Sequence, residues 1–392
     1  MKLARHLSIG DLERSARRRL PASIYGYVSG AAEDQCALAG NRAAFARWAL
    51  VPRMLTGVAE RSQEVELLGV RYASPIGIAP MGLAGLCAHD GDLQLARVAH
   101  SERVPFVLSA ASTVPLEAIS NAAPGSWYQA YLSADRAAIA ALLARVEAAG
   151  FPVLVVTVDV PLASLRENEL RNGFSVPLRL STRLVLGGLA RPRWMWSTFA
   201  RTLATRGIPH FENFTATRGG PIVTGATGDH RSGRAALNWG DIDWIRKQWN
   251  GKLLIKGILH PGDARRAKEA GADGVIVSNH GGRQLDGALA TLDALPEIAA
   301  VAGDMAVILD GGVRRGTDVL KALALGARFV LVGRPAMYGL AVGGEAGVRH
   351  ALRLLRREID VDLALIGCAR IANIDREFVA RIHQMGWPRD EA

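Results

Sequence analysis

The stretch that decides the fold is residues 272–286, which read ADGVIVSNHGGRQLD. Residues 274–277 form a short run of apolar, mostly β-branched side chains, and this run predicts a buried strand. The strand stops at a polar loop with two glycines, which relax the backbone between His280 and Arg283. The sequence therefore predicts a strand end that presents an imidazole and a guanidinium to one pocket.

The imidazole and the guanidinium are the two groups that oxidation of a hydroxy acid requires. Oxidation of a hydroxy acid needs a proton acceptor for the hydroxyl and a cation that holds the carboxylate by paired hydrogen bonds. His280 and Arg283 supply these two groups. The alternative is a loop in which His280 merely caps a helix, and the rest of the chain must decide between the two.

Outward from this loop, short apolar strands alternate with helices. About eight βα units fit between residues 75 and 340, and strands without polar alternation are typical of a parallel sheet. Charged residues follow several of these strands directly: Asp159, Lys256, His280, Asp310 and Arg334. No glycine-rich GxGxxG motif follows the first strand, which argues against a Rossmann site. The sequence predicts an α/β protein with a (β/α)8 TIM barrel.

We expect one domain over residues 1–392. Residues 1–70 predict a helical lead-in, 75–340 the barrel, and 344–383 helices packed outside it. About 90 residues separate Asp159 from Lys252, where a βα unit needs about 30. A long insertion after the fourth strand, about 174–236, accounts for the difference.

The bulk composition is that of a globular protein with a sizeable core, at 49% hydrophobic and 21% charged residues. The N-terminus has no apolar run of the kind found in a signal peptide. Three widely spaced cysteines without a CxxC motif indicate a reducing compartment and no metal site. The net charge of +10 is not accompanied by basic runs interleaved with aromatics, so we expect no nucleic-acid partner.

The insertion interleaves arginines with leucines and tryptophans. Such a segment is typical of a membrane interface, where each arginine near an anionic surface contributes roughly 1 kcal/mol. We expect residues 174–215 to contact a membrane surface, which places the protein peripherally on the cytoplasmic side of an inner membrane. The alternatives are an active-site lid or a subunit contact.

Two glycine-rich strand ends predict a phosphate site. Asp310-Gly311-Gly312-Val313-Arg314 and Gly333-Arg334 follow the seventh and eighth strands, where this fold binds phosphates. Glycines let backbone N–H groups approach phosphate oxygens, and the two arginines neutralise them. The alternative is a pair of ordinary turns with surface arginines.

At this point residues 278–286 resemble the signature of the FMN-dependent α-hydroxy acid oxidases and dehydrogenases. The resemblance covers nearly the whole chain and includes the Tyr27 segment, Pro80-Met81-Gly82, residues 128–131, residues 157–159 and residues 255–257. It implies an FMN cofactor, a 2-hydroxy acid substrate, a quinone-type or O2 acceptor, and a homotetramer.

The resemblance also implies roles by position. His280 is the expected general base, Asp159 its partner, Tyr131 the contact to the reacting hydroxyl, and Lys256 the cation beside the flavin. Arg283, Arg166 and Tyr27 bind the substrate carboxylate, and two guanidinium groups in one cleft would demand an anion. The expected cofactor-binding residues are Ala79, Pro80, Met81, Gly82, Ser109, Gln129, Thr157, Lys256, Ser278, Asp310, Gly312, Arg314, Gly333 and Arg334.

Two substrate-site positions bear on specificity. Ala111 stands where glycolate oxidase has tryptophan, and Gly82 where it has alanine. These positions and the Pro192-Arg193-Trp194 segment most resemble the mandelate dehydrogenases of the family, which favours a bulky or aromatic (S)-2-hydroxy acid and a dehydrogenase. A hydroxy acid oxidase that makes H2O2, a lactate dehydrogenase, an FMN barrel isomerase and a binding scaffold with an inactive barrel remain as alternatives.

Overall fold

The computed structural model describes residues 3–179, 181–224 and 233–382. Their helices are α1 (Ile9–Arg19), α2 (Ala22–Ser29), α3 (Cys36–Ala46), α4 (Gly91–Ser101), α5 (Leu116–Ala122), α6 (Arg136–Ala148), α7 (Glu167–Arg171), α8 (Thr182–Leu189), α9 (Pro192–Trp194), α10 (Arg201–Arg206), α11 (Trp239–Gln248), α12 (Pro261–Glu269), α13 (Thr291–Ala302), α14 (Gly316–Ala324) and α15 (Arg334–Ile366). Their strands are β1 (Trp48–Leu50), β2 (Val65–Leu67), β3 (Val70–Tyr72), β4 (Ile76–Ile78), β5 (Val107–Ser109), β6 (Trp127–Ala130), β7 (Val153–Thr157), β8 (Lys252–Ile258), β9 (Gly274–Val277), β10 (Ala306–Asp310), β11 (Phe329–Val332) and β12 (Val379–Arg381).

Strands β4 to β11 form the predicted barrel. They make one eight-stranded sheet in the order β4-β11-β10-β9-β8-β7-β6-β5, and neighbouring strands are parallel. A parallel bridge between Ile78 and Phe106 joins the two ends of this order. Helices connect successive strands, so the TIM barrel prediction is confirmed.

The apolar strands pack on both of their faces, as their composition predicts. Ile276 points into the barrel, where it packs with Trp127, Leu254, Ile308 and Leu331 in a cluster of buried side chains. Its neighbours Val275 and Val277 belong to the larger cluster formed with the surrounding helices. Polar residues are therefore confined to the strand ends, and the carboxyl ends of parallel strands meet at one mouth.

The predicted helical lead-in is only partly correct. The capping box of Ser8 and Asp11 starts α1, as their spacing predicts, and helices continue to Ala46. The chain then turns into strands: β1 pairs with β12, and β2 pairs with β3 as an antiparallel hairpin. The irregular connector expected after the helices contains short strands, because β1 and β12 satisfy each other's backbone groups outside the barrel.

The C-terminal segment also departs from the prediction of helices over 344–383. Helix α15 kinks at Gly343 and Gly344 and ends at Ile366, where Gly367 adopts a left-handed conformation with φ 76°. Two single 3-10 turns and β12 follow, while residue 383 lies outside the described residues. Helix is therefore wrong beyond Ile366, because this stretch returns along the chain to pair with β1.

The insertion lies between β7 and β8, as predicted, and part of the predicted range (180 and 225–232) is outside the described residues. Helix α9 continues through a π-helical stretch, Met195–Ala200, into α10. Leu184 and Trp194 point inward, and the Trp194 indole N–H donates to the Leu86 carbonyl at 2.7 Å. No helix within the described ranges is long and apolar enough to cross a bilayer.

Candidate active site

A cavity of about 810 Å³ opens at the carboxyl ends of the barrel strands. Its walls include most of the predicted site residues: Tyr27, Ala79, Pro80, Met81, Gly82, Ala111, Gln129, Tyr131, Thr157, Arg166, Lys256, His280, Arg283, Asp310, Gly312, Arg314, Gly333 and Arg334. The other three predicted residues do not line the cavity, but each contacts a residue that is predicted for the site. Ser109 bonds to Gln129, Asp159 to His280, and Ser278 to Lys256.

The loop after β9 turns through three residues with positive φ: His280 at 57°, Gly281 at 64° and Gly282 at 78°. A Cβ on Gly282 would lie 2.6 Å from the backbone nitrogen of Leu38, so only glycine lets α3 approach this closely. The left-handed turn brings both His280 and Arg283 to the cavity. His280 does not cap a helix, which removes the alternative interpretation of this residue.

His280 is held by a carboxylate on one side and faces a hydroxyl on the other. Its Nδ1 lies 3.0 and 3.2 Å from the two carboxylate oxygens of Asp159. A carboxylate only accepts, so Nδ1 carries the proton and Nε2 keeps its lone pair. The Tyr131 hydroxyl lies 3.3 Å from Nε2. His280 therefore presents a basic nitrogen to the cavity.

Burial sets the protonation states of this pair. It lowers the pKa of His280, although the charge of Asp159 opposes the shift, so the ring is neutral at pH 7. Burial would raise the pKa of Asp159, but at the low pH where this carboxyl titrates His280 is protonated, and its charge together with that of Lys256 lowers the pKa. A neutral base next to a fixed carboxylate is the arrangement that general-base catalysis requires.

The two predicted carboxylate-binding arginines share an internal partner that the sequence analysis missed. Glu169 Oε1 accepts a hydrogen bond from Arg283 Nη2 at 2.6 Å and lies 3.6 Å from Arg166 Nη1. The expectation that a bound anion must neutralise both guanidinium groups is wrong in part, since the Glu169 carboxylate neutralises one of the two charges. The available signal was its position in α7, three residues after Arg166.

Lys256 lies deeper, between the strand ends of β9 and β10. Its Nζ donates to Ser278 Oγ at 2.7 Å and is 3.3 Å from Asp310 Oδ2. Burial would lower its pKa, but the charges of Asp310 and Asp159 more than offset that effect, and the pKa is raised. Lys256 is therefore a fixed cation in the floor of the cavity.

Several buried polar atoms around this floor fit the edge of a flat, polar cofactor. Among the described residues, Gln129 Nε2, Thr157 Oγ1 and Asp310 Oδ1 are buried without a hydrogen-bond partner in the protein. Unpaired buried groups of this kind are costly, so a bound group that pairs with them is expected. An isoalloxazine ring carries matching donors and acceptors on its edge.

The opposite end of the cavity fits a phosphate. Arg334 donates to the carbonyls of Val28, Gly281 and Gly30 at 3.1, 3.0 and 2.8 Å. Its pKa falls to about 9, because burial and then the neighbouring charge of Arg314 both oppose ionisation. A phosphate beside these two arginines would offset that repulsion.

Further residues that the sequence analysis did not single out reach the cavity. Phe174 stacks on Tyr27 with ring centroids 4.6 Å apart, and Arg234 lies over the Tyr131 ring at 4.6 Å. Gln284 accepts a hydrogen bond from Arg166 Nη2 at 3.0 Å. Phe174 and Arg234 come from the insertion, whose sequence gives no indication of which side chains turn inward.

The fold and the site together indicate a barrel oxidoreductase whose cavity fits a phosphorylated flavin cofactor. The family model described as FMN-dependent dehydrogenase matches residues 16–381, and the chain belongs to this family. FMN is therefore its cofactor, and oxidation of a 2-hydroxy acid is its reaction class.

The chain is similar to family members of two substrate types. An L-lactate dehydrogenase of Yersinia pestis (strain Pestoides F) is 41% identical over 379 residues, which cover 94% of this chain and 97% of that protein. The solved structure of (S)-mandelate dehydrogenase, a monotopic membrane protein, has a TM-score of 0.89 at 37% identity and covers 96% of this chain and 99% of that chain. Mandelate oxidase with (S)-2-phenylpropionate has a TM-score of 0.78 at 36% identity and covers 94% and 96%.

Proposed function

We propose that this chain oxidises a bulky or aromatic (S)-2-hydroxy acid to the 2-oxo acid, with His280 as the general base. The observation that supports the proposal is the ordered contact series from Asp159 through His280 to Tyr131. It stands beside the Arg166 and Arg283 guanidinium groups in one cavity. A base and a carboxylate clamp within a single cavity suit a substrate that carries both a hydroxyl and a carboxylate.

Each residue has a definite part in this reaction. Arg283 and Arg166 bind the substrate carboxylate and fix its orientation, and the Tyr131 hydroxyl contacts the reacting hydroxyl. His280 Nε2 takes the hydroxyl proton, while Nδ1–H stays bonded to Asp159, whose charge stabilises the imidazolium. When bound, FMN supplies the two-electron acceptor.

The protein's remaining polar groups would hold this cofactor. Lys256 would neutralise negative charge at the edge of the ring, and Gln129, Thr157 and Ser109 would bond to it. Arg314, Arg334, Gly312 and Gly333 would hold the phosphate. The backbone of residues 79–82 would lie along the ring. The buried unpaired atoms of Gln129 and Thr157 support this assignment.

The cavity wall around Gly82 supports a large substituent. Ala111 and Gly82 both line the cavity and are small, so neither position carries a side chain that fills it. Phe174 and Phe211 pack together in an apolar cluster that lines the same cavity. A phenyl group that buries about 100 Å² of apolar surface gains roughly 2.5 kcal/mol.

The insertion supports a membrane-associated acceptor such as a quinone. The outer faces of α8 to α10 expose Leu186 (65%), Leu189 (62%) and Trp196 (73%). Arg183, Arg193 and Arg201 are exposed on the same helices. We propose that this face contacts a membrane on its cytoplasmic side, as (S)-mandelate dehydrogenase is described as a monotopic membrane protein. The homotetramer stays a prediction.

Lactate is the second candidate substrate, because relatives named L-lactate dehydrogenase are 41% identical to this chain. Oxygen is the second candidate acceptor, since a mandelate oxidase is among the similar structures.

Anaerobic mixing of the FMN-loaded protein with (S)-mandelate, (S)-lactate and glycolate tests the proposal. We expect (S)-mandelate to bleach the flavin absorbance with the highest ratio of rate to dissociation constant. A higher ratio for lactate would contradict the bulky-substrate proposal, and bleaching by none of the three would contradict hydroxy acid oxidation by this site. If the protein makes one H2O2 per substrate in air, then oxygen and not a quinone is the electron acceptor.

A further inference from the structure

Glu169 is a buried carboxylate that contacts Arg166 and Arg283, the two arginines expected to bind the substrate carboxylate. Its side chain is 11% exposed, and Arg283 Nη2 donates to it at 2.6 Å. The helix that carries it, α7, is fastened to α2, where Asn168 Nδ2 donates to the Gly26 carbonyl at 2.9 Å. Glu169 is therefore placed by the scaffold and not by a flexible loop.

The hydrogen bonds of Arg283 leave one edge of its guanidinium group open. Nη1 donates to the carbonyls of Tyr27 and Gly30 at 2.6 and 2.9 Å, which uses both of its N–H groups and satisfies carbonyls at the end of α2. One N–H of Nη2 goes to Glu169. Within the part of the chain that the structure describes, Nε–H and the second Nη2–H make no recorded hydrogen bond.

In the planar guanidinium, Nε–H runs parallel to one N–H of Nη2 along one edge. Two parallel N–H groups are the arrangement that a carboxylate accepts as a bidentate partner. The remaining contact of Arg283 is the Tyr27 ring, which lies 4.8 Å from its central carbon and fixes the plane of the group. The position of the open edge thus depends on Tyr27 and Gly30 on one side and on Glu169 on the other.

We propose that Glu169 is a positioning residue that turns the open edge of Arg283 toward the substrate carboxylate. This inference rests on the proposed function, because it assumes that Arg283 binds that carboxylate. Arg166 is oriented by other bonds: its Nε donates to Ser164 Oγ and to the Arg283 carbonyl, and its Nη2 donates to Gln284. Without Glu169, Arg283 keeps its bonds to α2 but loses the bond that orients Nη2.

Three variants of the FMN-loaded protein test the inference. Glu169→Ala removes the acceptor, Glu169→Gln keeps an acceptor oxygen at the same reach without the charge, and Glu167→Ala is the matched control. Glu167 lies on the same helix but forms its ion pair with exposed Arg171. Calorimetric titration with phenylglyoxylate, the 2-oxo acid product of mandelate, gives a dissociation constant without turnover. Anaerobic flavin reduction gives the limiting rate.

We expect Glu169→Ala to raise the dissociation constant about ten-fold, which corresponds to about 1.4 kcal/mol. Glu169→Gln should stay within about three-fold of the wild type, because the acceptor geometry is kept, and Glu167→Ala should equal the wild type. The limiting reduction rate should fall by less than the affinity.

Unchanged or tighter binding in Glu169→Ala would overturn the positioning role, as would a Glu169→Gln variant as weak as Glu169→Ala. Loss of FMN from Glu169→Ala and from Glu169→Gln alike would assign Glu169 to the folding of the site and would also overturn the positioning role. If no hydroxy acid bleaches the flavin of the wild-type protein, the proposed function is contradicted. The role of Glu169 inferred here is then contradicted as well.

Discussion

At the residue scale, the site depends on a histidine whose backbone adopts a conformation that few non-glycine residues take. With φ at 57°, His280 directs its ring from the end of β9 toward Asp159, which follows β7. Gly281 and Gly282 continue the left-handed turn, and Gly282 brings the chain into close contact with α3. The strained residue is the proposed general base, and the glycines make that placement possible.

Asp159→Asn tests the electrostatic coupling in this pair. The folded-state pKa of His280 is below its ordinary value because of burial, and the Asp159 charge opposes that shift. The base must be neutral, so kcat/KM should fall as the pH drops through a pKa below 6.5 and stay level above it. Asn removes the opposing charge and so lowers the pKa of His280 further. The fall of kcat/KM at acid pH should therefore move to lower pH.

The plateau of kcat/KM in Asp159→Asn should also fall, on the order of 10²-fold, because the imidazolium loses its partner. Flavin reduction measured from pH 5 to 9, with FMN content as the control, gives both values. A limb that moves to higher pH, or a plateau equal to that of the wild type, would contradict the role of Asp159.

At the element scale, the insertion is a helical segment fixed to the barrel, with its apolar face turned outward. Trp194 bonds to Leu86, the Thr202 hydroxyl lies 3.1 Å from His89 Nδ1, and Arg206 binds the Asp90 carboxylate at 2.9 and 3.1 Å. These contacts tie the insertion to the loop after β4. The exposed leucines and Trp196 are therefore held at the surface by packing on the other side.

Because Leu184 and Trp194 are structural, point changes on the outer face test the membrane contact better than a deletion. The double variant Leu186→Glu and Trp196→Ser should release the protein from anionic vesicles, while its rate of flavin reduction by the substrate stays within about two-fold of the wild type. Leu55→Glu is the control, since Leu55 is fully exposed on a different segment. Vesicle co-sedimentation equal to that of the wild type would refute the anchor.

The insertion also shows where sequence reasoning reached its limit. Its composition indicated a surface role, yet it did not separate the inward Trp194 from the outward Trp196. Likewise, Glu169 follows Arg166 by three residues, but nothing in the sequence shows that its carboxylate meets Arg283 from another strand end. Contacts between distant segments depend on tertiary packing, whereas the strand ends that carry Asp159, Lys256 and Asp310 follow from periodicity.

At the scale of the whole molecule, the barrel closes at a narrow seam. Strand β4 pairs with β11 over three residues, but meets the segment before β5 through the single Ile78–Phe106 bridge and the bond from Ile78 N to the Pro105 carbonyl. Gly77 lies at this seam, and a Cβ there would be 2.7 Å from Pro105 Cγ and 3.0 Å from Leu331 Cδ2. The seam thus has no room for a side chain.

Gly77→Ala should lower the free energy of unfolding by about 1–3 kcal/mol, the usual cost of overpacking a buried site. Thermal unfolding monitored by far-UV circular dichroism measures the change. Gly40→Ala is the matched control, because a Cβ there meets no atom within 4 Å and alanine favours helix α3. Equal melting temperatures of Gly77→Ala and the wild type would contradict a close-packed seam.

The proposed reaction depends on His280 as the base that allows a hydroxy acid to reduce the bound flavin. The most direct measurement is anaerobic stopped-flow mixing of His280→Ala with the hydroxy acid that bleaches the wild type. We predict that the variant keeps its FMN absorbance and that its reduction slows by about 10²- to 10⁴-fold. Reduction at the wild-type rate, by a variant with full FMN content, would contradict the account.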